Sequence, residues 1–423
     1  MSHGFCGIDF GTSNSALSAG LSGDTQLVPI EGDHVTIPST IFFNVEERRT
    51  TFGRRAIAEY LDGYSGRFMR SLKSILGSSL IHDTTQIGFD RVSFQRVIGH
   101  YIGHLKTNAE KSLGYELPNV VIGRPVHFVD DDKIADQRAE DELRAVATAQ
   151  GFKNIEFEYE PIAAAQDYET TLDREELVLV VDIGGGTSDF SVIRLSPDLK
   201  NKPDRFKDIL ANAGVHIGGN DFDKRFSLAS VMPEMGYKGF LQSGLDMPLA
   251  HYHTLATWHL IQTLYTQKNI NFVNGLYREA EYPDQVARLV KILDDQSGHE
   301  LASRIEGLKI ALSEDTSATA QLDFIEQGWA VRAKRTDLNK AIKADVTKIV
   351  DVAQETVTKI ANIPAKNINA IFMTGGSTGL HGFRESIQKT FPDAALVQGD
   401  RFSSVAKGLG LSALRKFGAA TQS

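Results

Sequence analysis

Three short segments, far apart in the chain, combine glycine, hydroxyl and acidic residues at the ends of apolar runs. The first spans residues 7–15 (GIDFGTSNS), the second residues 181–189 (VDIGGGTSD) and the third residues 371–378 (IFMTGGST). In the first two, an apolar strand ends in aspartate, and a glycine turn with hydroxyl residues leads into another strand. Each segment alone could be an ordinary hairpin. The three together indicate a single nucleotide-binding cleft.

The residue types in these segments suit a bound phosphate. Glycine lets backbone N–H groups approach phosphate oxygens without a Cβ in the way, and hydroxyl groups add further donors. The predicted phosphate-binding residues are Gly11, Thr12, Ser13, Asn14, Gly184, Gly185, Gly186 and Thr187.

Two aspartates indicate a cation. Asp9 and Asp182 end the two strands, beside the predicted phosphate donors. A carboxylate there repels phosphate unless a cation lies between them, which implies Mg²⁺. Magnesium usually keeps several waters and takes few direct protein ligands, so both aspartates can act through water.

Composition limits the functional classes. The chain has 423 residues, enough for two domains or two large lobes, and its net charge of −9 disfavours partnership with nucleic acid or an anionic membrane. No apolar run approaches the roughly 18 residues of a membrane helix, and we expect no signal peptide because the first strand begins by residue 5. The single cysteine, Cys6, favours a cytoplasmic setting.

The chain contains an internal duplication. Hairpins predicted at 5–20 and 177–195 resemble each other, and each opens one lobe. We expect lobe I to span residues 1–176 and lobe II residues 177–404, closely packed because no low-complexity linker separates them.

Other segments complete the expected architecture. A helical insert is predicted at about 221–312, a C-terminal helix at 405–418 packing back on lobe I, and a helical stretch at 56–76. The predicted fold class is α/β, the actin-like ATPase fold, in which each lobe carries a duplicated ribonuclease-H-like mixed sheet flanked by helices.

Further motifs give the pattern a family resemblance. Together with the glycine segments, they resemble the ATPase domain of DnaK-type, 70-kDa heat-shock chaperones over nearly the whole chain. These motifs are Ile37-Pro38-Ser39, Phe52-Gly53, Lys73-Ser74-Ile75-Leu76-Gly77, Glu160-Pro161-Ile162-Ala163-Ala164-Ala165 and Gly218-Gly219-Asn220-Asp221-Phe222-Asp223.

The resemblance implies a catalytic set of Lys73, Glu160, Asp182 and Thr187. The Lys73 ammonium would stabilise charge on the γ-phosphate and the attacking water. Glu160 would orient or deprotonate that water or hold the magnesium shell, and Thr187 would donate to phosphate oxygens.

The resemblance also implies the cation ligands. Asp9, Asp182 and Glu160 would hold Mg²⁺, and Asp189 would assist them or bind a monovalent cation such as K⁺. The expected cofactors are therefore ATP or ADP, Mg²⁺ and K⁺.

The nucleoside side of the cleft departs from the family pattern. The implied contacts are Gly218, Gly219, Glu306, Lys309, Ile310, Ser313, Gly375, Gly376, Ser377 and Gly379. The family usually stacks adenine between two arginines, but this chain has Ile310 and Gly379 at the corresponding positions. Losing that pair removes a cation–π contribution of about 0.5–2 kcal/mol from each arginine. We therefore expect weak discrimination between adenine and guanine.

A second departure concerns the peptide-binding part of the family. The family continues beyond its ATPase domain with a linker and a peptide-gripping β-sandwich, and we expect this chain to lack both, which is similar to the YegD-like branch. The expected function is a weak Mg²⁺-dependent ATPase that acts as a nucleotide-gated, chaperone-like switch. Its expected protein partners are unfolded chains or co-chaperones.

Three alternatives share this fold. One is a filament-forming bacterial actin homologue, which also carries two phosphate loops and the Glu-Pro-x-Ala-Ala-Ala motif. Another is a pseudo-ATPase scaffold that binds nucleotide without turnover. A sugar kinase is the third, although no motif supplies its aspartate base.

Overall fold

The structure of the protein is a computed structural model. It describes residues 4–21, 23–129, 132–199, 202, 205–399 and 403–418. The predicted C-terminal helix lies within these ranges. A search of the described helices finds none with the length and apolarity needed to cross a membrane.

Lobe I contains eleven strands among its described residues. They are β1 (Phe5–Phe10), β2 (Asn14–Gly20), β3 (Gln26–Leu27), β4 (Thr36–Pro38), β5 (Thr40–Asn44), β6 (Arg49–Phe52), β7 (Gly66–Arg70), β8 (Thr84–Ile87), β9 (Asp90–Ser93), β10 (Asn119–Arg124) and β11 (Asn154–Tyr159). The helices between and after them are α1 (Gly53–Leu61), α2 (Phe94–Leu113), α3 (Lys133–Ala149) and α4 (Glu160–Glu169).

The main sheet of lobe I has the strand order β11-β10-β1-β2-β3, with β4 also paired to β2. Strand β1 runs parallel to β10 and antiparallel to β2. The central strands β1 and β10 are almost wholly buried, as their continuous apolar runs predict for strands covered on both faces.

From Glu176 onward the described part of the chain forms seven strands and eight helices, and all of them except the last helix belong to lobe II. The strands are β12 (Glu176–Ile183), β13 (Ser188–Leu195), β14 (Ile209–Val215), β15 (Ser317–Gln321), β16 (Ala330–Lys334), β17 (Ala370–Thr374) and β18 (Ala395–Gln398). The helices are α5 (Gly219–Ser230), α6 (Ala250–Leu255), α7 (Gln267–Glu279), α8 (Pro283–Asp294), α9 (Gly298–Glu314), α10 (Arg335–Glu355), α11 (His381–Thr390) and α12 (Ser404–Phe417).

The main sheet of lobe II repeats that of lobe I. Its order is β14-β13-β12-β17-β18, so β12 pairs antiparallel with β13 and parallel with β17, as β1 does with β2 and β10. Helices flank both sheets. The chain therefore has the predicted actin-like ATPase fold, with one mixed sheet in each lobe.

One predicted element is wrong. The helix expected over 56–76 ends at Leu61, and strand β7 follows it. Gly63 adopts a φ of +84°, which ends the helical path. Strand β7 then pairs antiparallel with β5, which places Phe68 opposite Phe42. Burial of these side chains outweighs the helical preference of the segment.

Helix α12 returns from the end of the chain to lobe I. It packs against β1 and α4, and Ser18 Oγ donates a hydrogen bond to the carbonyl of Ala406 (2.6 Å). The contact requires glycine, because an ideal Cβ on Gly408 would lie 1.9 Å from the carbonyl oxygen of Ala163. This helix therefore lies directly behind the strand and helix that carry Asp9 and Glu160.

Candidate nucleotide site

The first glycine turn joins β1 to β2 and is held by Ser39. The Ser39 amide donates to the carbonyl of Ser13 (2.8 Å), and Ser39 Oγ donates to the carbonyl of Gly11 (2.6 Å). A further hydrogen bond joins the hydroxyl groups of Ser15 and Ser39 (2.9 Å). Side-chain hydroxyl groups thus fix the shape of this turn.

The second glycine turn joins β12 to β13. It closes on itself, since the amide of Gly184 donates to the carbonyl of Thr187 (2.9 Å). Thr187 Oγ1 donates to Asp189 Oδ2 (3.0 Å). The hydroxyl group predicted to contact phosphate is therefore oriented by the carboxylate predicted to assist the cation.

The start of α5 supports the second turn through backbone groups. The amide of Gly219 donates to the carbonyl of Gly184 (2.9 Å), and that of Asn220 donates to Gly185 (2.7 Å). An ideal Cβ on Gly218 would lie 2.7 Å from the backbone of Gly185. A side chain at residue 218 would thus displace the turn.

The third glycine turn lies under Asp182. Gly375 has a φ of +85°, and an ideal Cβ on it would lie 2.4 Å from the carbonyl oxygen of Ile183 and 2.5 Å from Asp182 Oδ1. Ser377 Oγ would lie 2.7 Å from a Cβ on Gly219. This turn is therefore in contact with both the end of β12 and the start of α5.

The turns of the two lobes also meet each other. Ser13 Oγ lies so close to Gly185 that an ideal Cβ there would be 2.1 Å from it. The structure thus brings all three predicted segments to one place between the lobes. Their binding of a nucleotide stays a prediction.

A charged cluster lies beside these turns. Lys73 Nζ donates a hydrogen bond to Glu160 Oε1, and the two side chains are only 12% and 13% exposed. The lysine stands on a short 3-10 helix after β7, whereas Glu160 is the first residue of α4. The charges of both act on Asp9 and Asp182. The cluster unites four predicted residues from separate parts of the sequence.

The pKa values of the cluster residues are shifted by burial and by the charges of their neighbours. Burial raises the pKa of Asp9 to about 8, with Glu160 and Asp182 adding to the rise and Lys73 opposing it. Burial likewise raises the pKa of Asp182 to about 7, and Asp189 and Glu160 add to that rise. Burial lowers the pKa of Lys73, but the neighbouring carboxylates outweigh it, so its pKa is raised and it remains an ammonium group.

The donor set fits a hydrated divalent cation. Three carboxylates face one ammonium group, and a cation between them would offset the repulsion that raises the pKa values of Asp9 and Asp182. Within the ranges that the structure describes, no three Asp, Glu, His or Cys side chains surround one metal-sized point. The water-mediated role of Asp9 and Asp182 and the roles of Glu160 and Asp189 as cation ligands stay predictions.

Helix α9 supplies four of the predicted nucleoside contacts. Lys309 Nζ lies 2.8 Å from Asp223 Oδ1, in an ion pair that the sequence did not indicate. Ser313 Oγ donates to the carbonyl of Ile310 (2.5 Å). Ile310 itself is 56% exposed, and Glu306 lines a cavity beside the cleft. Lys309 and Ser313 thus already have partners within the protein.

In the predicted base pocket, the two positions that depart from the family pattern, Ile310 and Gly379, carry no positively charged side chain. Gly376 and Gly379 bound a short 3-10 helix in which Gly379 is buried. The positive φ in this turn belongs to Gly375 and not to Gly379. The site therefore offers an aliphatic side chain at Ile310 where the family resemblance implies a guanidinium group.

Comparison with known proteins now assigns the family. The family model described as "Hsp70 protein" matches residues 5–232, more than half of the chain. The chain belongs to the Hsp70 family. This assignment favours a chaperone-type ATPase over the filament-forming and sugar-kinase alternatives.

Curated relatives agree with the assignment to the Hsp70 family. The chain is 25% identical to the chaperone protein HscA homolog of Actinobacillus pleuropneumoniae serotype 5b (strain L20) and 24% identical to that of Haemophilus influenzae (strain PittGG). Both matches cover 96% of this chain and 57% of the relative. The chain thus spans little more than half the length of these relatives. The finer prediction, the YegD-like branch, stays a prediction.

Several site residues were missed by sequence reasoning. Ser39, Asn220 and Asp223 stood inside motifs used only as family landmarks, so a signal was present but not assigned a role. Arg70 stood in no motif. Its contacts cross from one lobe to the other, and no local pattern reports such a contact.

Proposed function

We propose that this Hsp70-family chain binds ATP and ADP with Mg²⁺, hydrolyses ATP slowly and uses the bound nucleotide to set the closure of its two lobes. One observation carries the proposal: Asp9, Lys73, Glu160 and Asp182 form one cluster beside the phosphate-type turns of both lobes. Phosphoryl transfer requires positioning and charge stabilisation, which such a cluster supplies.

Each residue of the cluster has a distinct role in the proposal. The Lys73 ammonium stabilises negative charge as it develops on the γ-phosphate, and Glu160 orients the attacking water. The Asp9 and Asp182 carboxylates hold the waters of the cation. When bound, Mg²⁺ supplies the positive charge that lets phosphate lie beside carboxylates. Asp189 orients Thr187 toward the phosphates and is the proposed contact for K⁺.

The proposed setting is that of a chaperone-like switch. Relatives named as chaperones support partnership with unfolded proteins or co-chaperones, and the single, buried Cys6 supports a reducing, cytoplasmic setting. Nucleotide contacts from both lobes would order the closed form, and hydrolysis would relax it.

The experiment combines melting with phosphate release. Mg²⁺–ADP at about 100 times its dissociation constant should add about 2.7 kcal/mol to the free energy of unfolding. Lys73→Ala should retain this stabilisation while lowering the rate of hydrolysis about 10²–10³-fold. Lys106→Ala is the matched control, because Lys106 forms a similar half-buried pair with Glu110 in lobe I, away from the cluster.

Two outcomes would revise the proposal. Hydrolysis by Lys73→Ala at the rate of the Lys106→Ala control would remove Lys73 from the mechanism. An unchanged melting temperature of the wild type at millimolar Mg²⁺–ATP and Mg²⁺–ADP would overturn nucleotide binding itself.

A second candidate is a pseudo-ATPase. The ion pair of Lys73 with Glu160 and the exposed Ile310 in the base pocket favour a protein that binds phosphates without efficient turnover. Nucleotide-dependent stabilisation without phosphate release by the wild type would select this function.

A further inference from the structure

A second set of contacts joins the lobes beside the proposed nucleotide site. A small cavity of about 30 Å³ adjoins the start of α5, and Arg70, Asn220, Asp223, Trp258 and Glu306 are among its lining residues. Arg70 comes from lobe I, at the end of β7, and the other four come from lobe II. Arg70 therefore brings a positive charge from lobe I to the lining of this cavity.

The Arg70 guanidinium makes two contacts at once. It lies 4.0 Å from the centre of the Trp258 ring, and one of its terminal nitrogens donates to Asn220 Oδ1 (3.0 Å). The carboxylates of Glu306 and Asp223 lie close enough for their charges to act on it. A planar guanidinium can stack and donate in this way, whereas a lysine ammonium is a compact point charge.

Asn220 connects this contact to the phosphate-type turn of lobe II. It is the second residue of α5, and its amide donates to the carbonyl of Gly185 (2.7 Å). A single residue thus receives Arg70 through its side chain and holds the second glycine turn through its backbone.

On the lobe I side, Arg70 is continuous with the Lys73 segment. The strand β7 ends at Arg70, and the short 3-10 helix that carries Lys73 begins at Leu72. Ser71 between them has a φ of +57°, so the chain turns sharply there. The positions of Arg70 and Lys73 are therefore coupled by a very short, bent backbone.

We propose that Arg70 is a positioning residue that ties the Lys73 segment of lobe I to the second phosphate turn of lobe II through Asn220. This inference rests on the proposed function, because it explains how Lys73 is aligned when the lobes close. Arg70 touches neither phosphate nor water in this role, and acts only through Asn220 and the backbone it adjoins.

The chain offers a matched control on the same strand. Arg67 also connects the two lobes, because its guanidinium donates a hydrogen bond to Gln262 Oε1 of lobe II (3.1 Å). Gln262 belongs to the 3-10 helix Trp258–Leu264, which lies outside the three phosphate-type turns. Arg67→Met therefore removes a cross-lobe arginine of the same charge while leaving Asn220 in place.

The first test needs no nucleotide. Hydrogen–deuterium exchange is measured for amides of residues 183–188 and 217–222 in wild type, Arg70→Met, Arg70→Lys and Arg67→Met. Arg70→Met should speed exchange in both segments at least about fivefold, because the Asn220 side chain loses its anchor. Arg67→Met should leave both segments unchanged, and Arg70→Lys should fall between them.

The second test separates positioning from binding. In single-turnover hydrolysis, Arg70→Met should lower the rate about 10–100-fold, as expected for misalignment near 1 Å, while the ADP dissociation constant changes less than about threefold. Arg67→Met should hydrolyse ATP like the wild type. Melting temperatures of the two Met variants show whether a difference merely reflects lost stability.

The outcomes distinguish this inference from the proposed function. Equal exchange in Arg70→Met and Arg67→Met overturns the role of Arg70, whatever the ATPase does. A wild type that neither binds nor hydrolyses nucleotide overturns the proposed function, and exchange alone then decides whether Arg70 holds the turn. Faster exchange with unchanged hydrolysis would overturn the alignment of Lys73.

Discussion

The two lobes share one sheet topology but hold their phosphate-type turns differently. In lobe I, the hydroxyl group of Ser39 bonds to the carbonyl of Gly11 and its amide to that of Ser13. In lobe II, backbone amides of Gly219 and Asn220 support the turn, and Gly375 closes against Asp182. The first turn is thus braced partly by the side chain of Ser39, whereas the start of α5 braces the second turn through backbone groups.

This difference predicts which substitutions each turn tolerates. A hydroxyl network loses one or two hydrogen bonds when a serine is removed, and its neighbours can adjust. A turn packed against glycine has no room for a Cβ, so any side chain must displace backbone. Substitutions should therefore be more harmful at the glycines of lobe II than at the serines of lobe I.

The largest effect should come from Gly375→Ala. Gly375 has a φ of +85° and a ψ of +144°, a backbone conformation that costs a non-glycine residue about 1–3 kcal/mol. The new methyl group would also meet the backbone of Ile183. We expect the free energy of unfolding, measured by denaturant titration, to fall by at least about 2 kcal/mol, with stabilisation by nucleotide lost. Gly328→Ala is the control, because Gly328 has a φ of +78° and open space around it. Equal losses in the two variants would show that crowding does not support the turn.

The acidic residue of each lobe should give a distinct pH dependence. The raised pKa values mean that folded Asp9 and Asp182 keep a proton that the unfolded chain releases near pH 4. Stability without Mg²⁺ and nucleotide should therefore fall as pH rises, by up to about 1.4 kcal/mol per pH unit for each proton. The fall should continue to about pH 8 for Asp9 and to about pH 7 for Asp182.

Denaturant titrations between pH 5 and 9 compare the two lobes. Asp9→Asn should flatten the profile between pH 7 and 8, whereas Asp182→Asn should leave a slope there. Asp351→Asn, at an exposed position of α10, is the control. Identical profiles for the two lobe variants would contradict the different surroundings of the two carboxylates.

A smaller effect is expected from Ser39→Ala. Loss of its buried hydrogen bonds should lower the free energy of unfolding by about 1 kcal/mol and weaken ADP binding about fivefold. Ser191→Ala removes a similar buried hydroxyl group of lobe II, which is hydrogen-bonded to Asn212 and lies outside the three turns. Ser191→Ala should lower the free energy of unfolding by a similar amount without weakening ADP binding. If both variants bind ADP like the wild type, Ser39 has no part in shaping the first turn.

The smallest effect concerns the predicted base pocket, which lies wholly on lobe II. Ile310→Arg should strengthen ADP binding by about 0.5–1 kcal/mol, or two- to fivefold, if the guanidinium stacks on adenine. Ile360→Arg alters a similarly exposed isoleucine far along the chain and should leave ADP binding unchanged. Calorimetry with ADP and GDP measures both variants. Strong adenine selectivity in the wild type would show that another group already replaces the arginine pair.

Sequence reasoning succeeded where a feature is local. The hairpins predicted at 5–20 and 177–195 are β1–β2 and β12–β13, and the helix predicted at 405–418 is α12. It failed over 56–76, because the pairing of β7 with β5 is not visible in the segment itself. The contact of Arg70 with Asn220 was missed for the same reason.

By itself, the sequence determined the chemistry available: glycine turns that admit phosphate, aspartates at strand ends and a lysine in a family motif. Only the tertiary structure decided that Lys73 pairs with Glu160, that Lys309 pairs with Asp223 and that Ser13 faces Gly185. Backbone preferences act over a few neighbouring residues, so they can be read from the sequence. Contacts between distant residues depend on how sheets and helices pack, and that packing is a property of the whole chain.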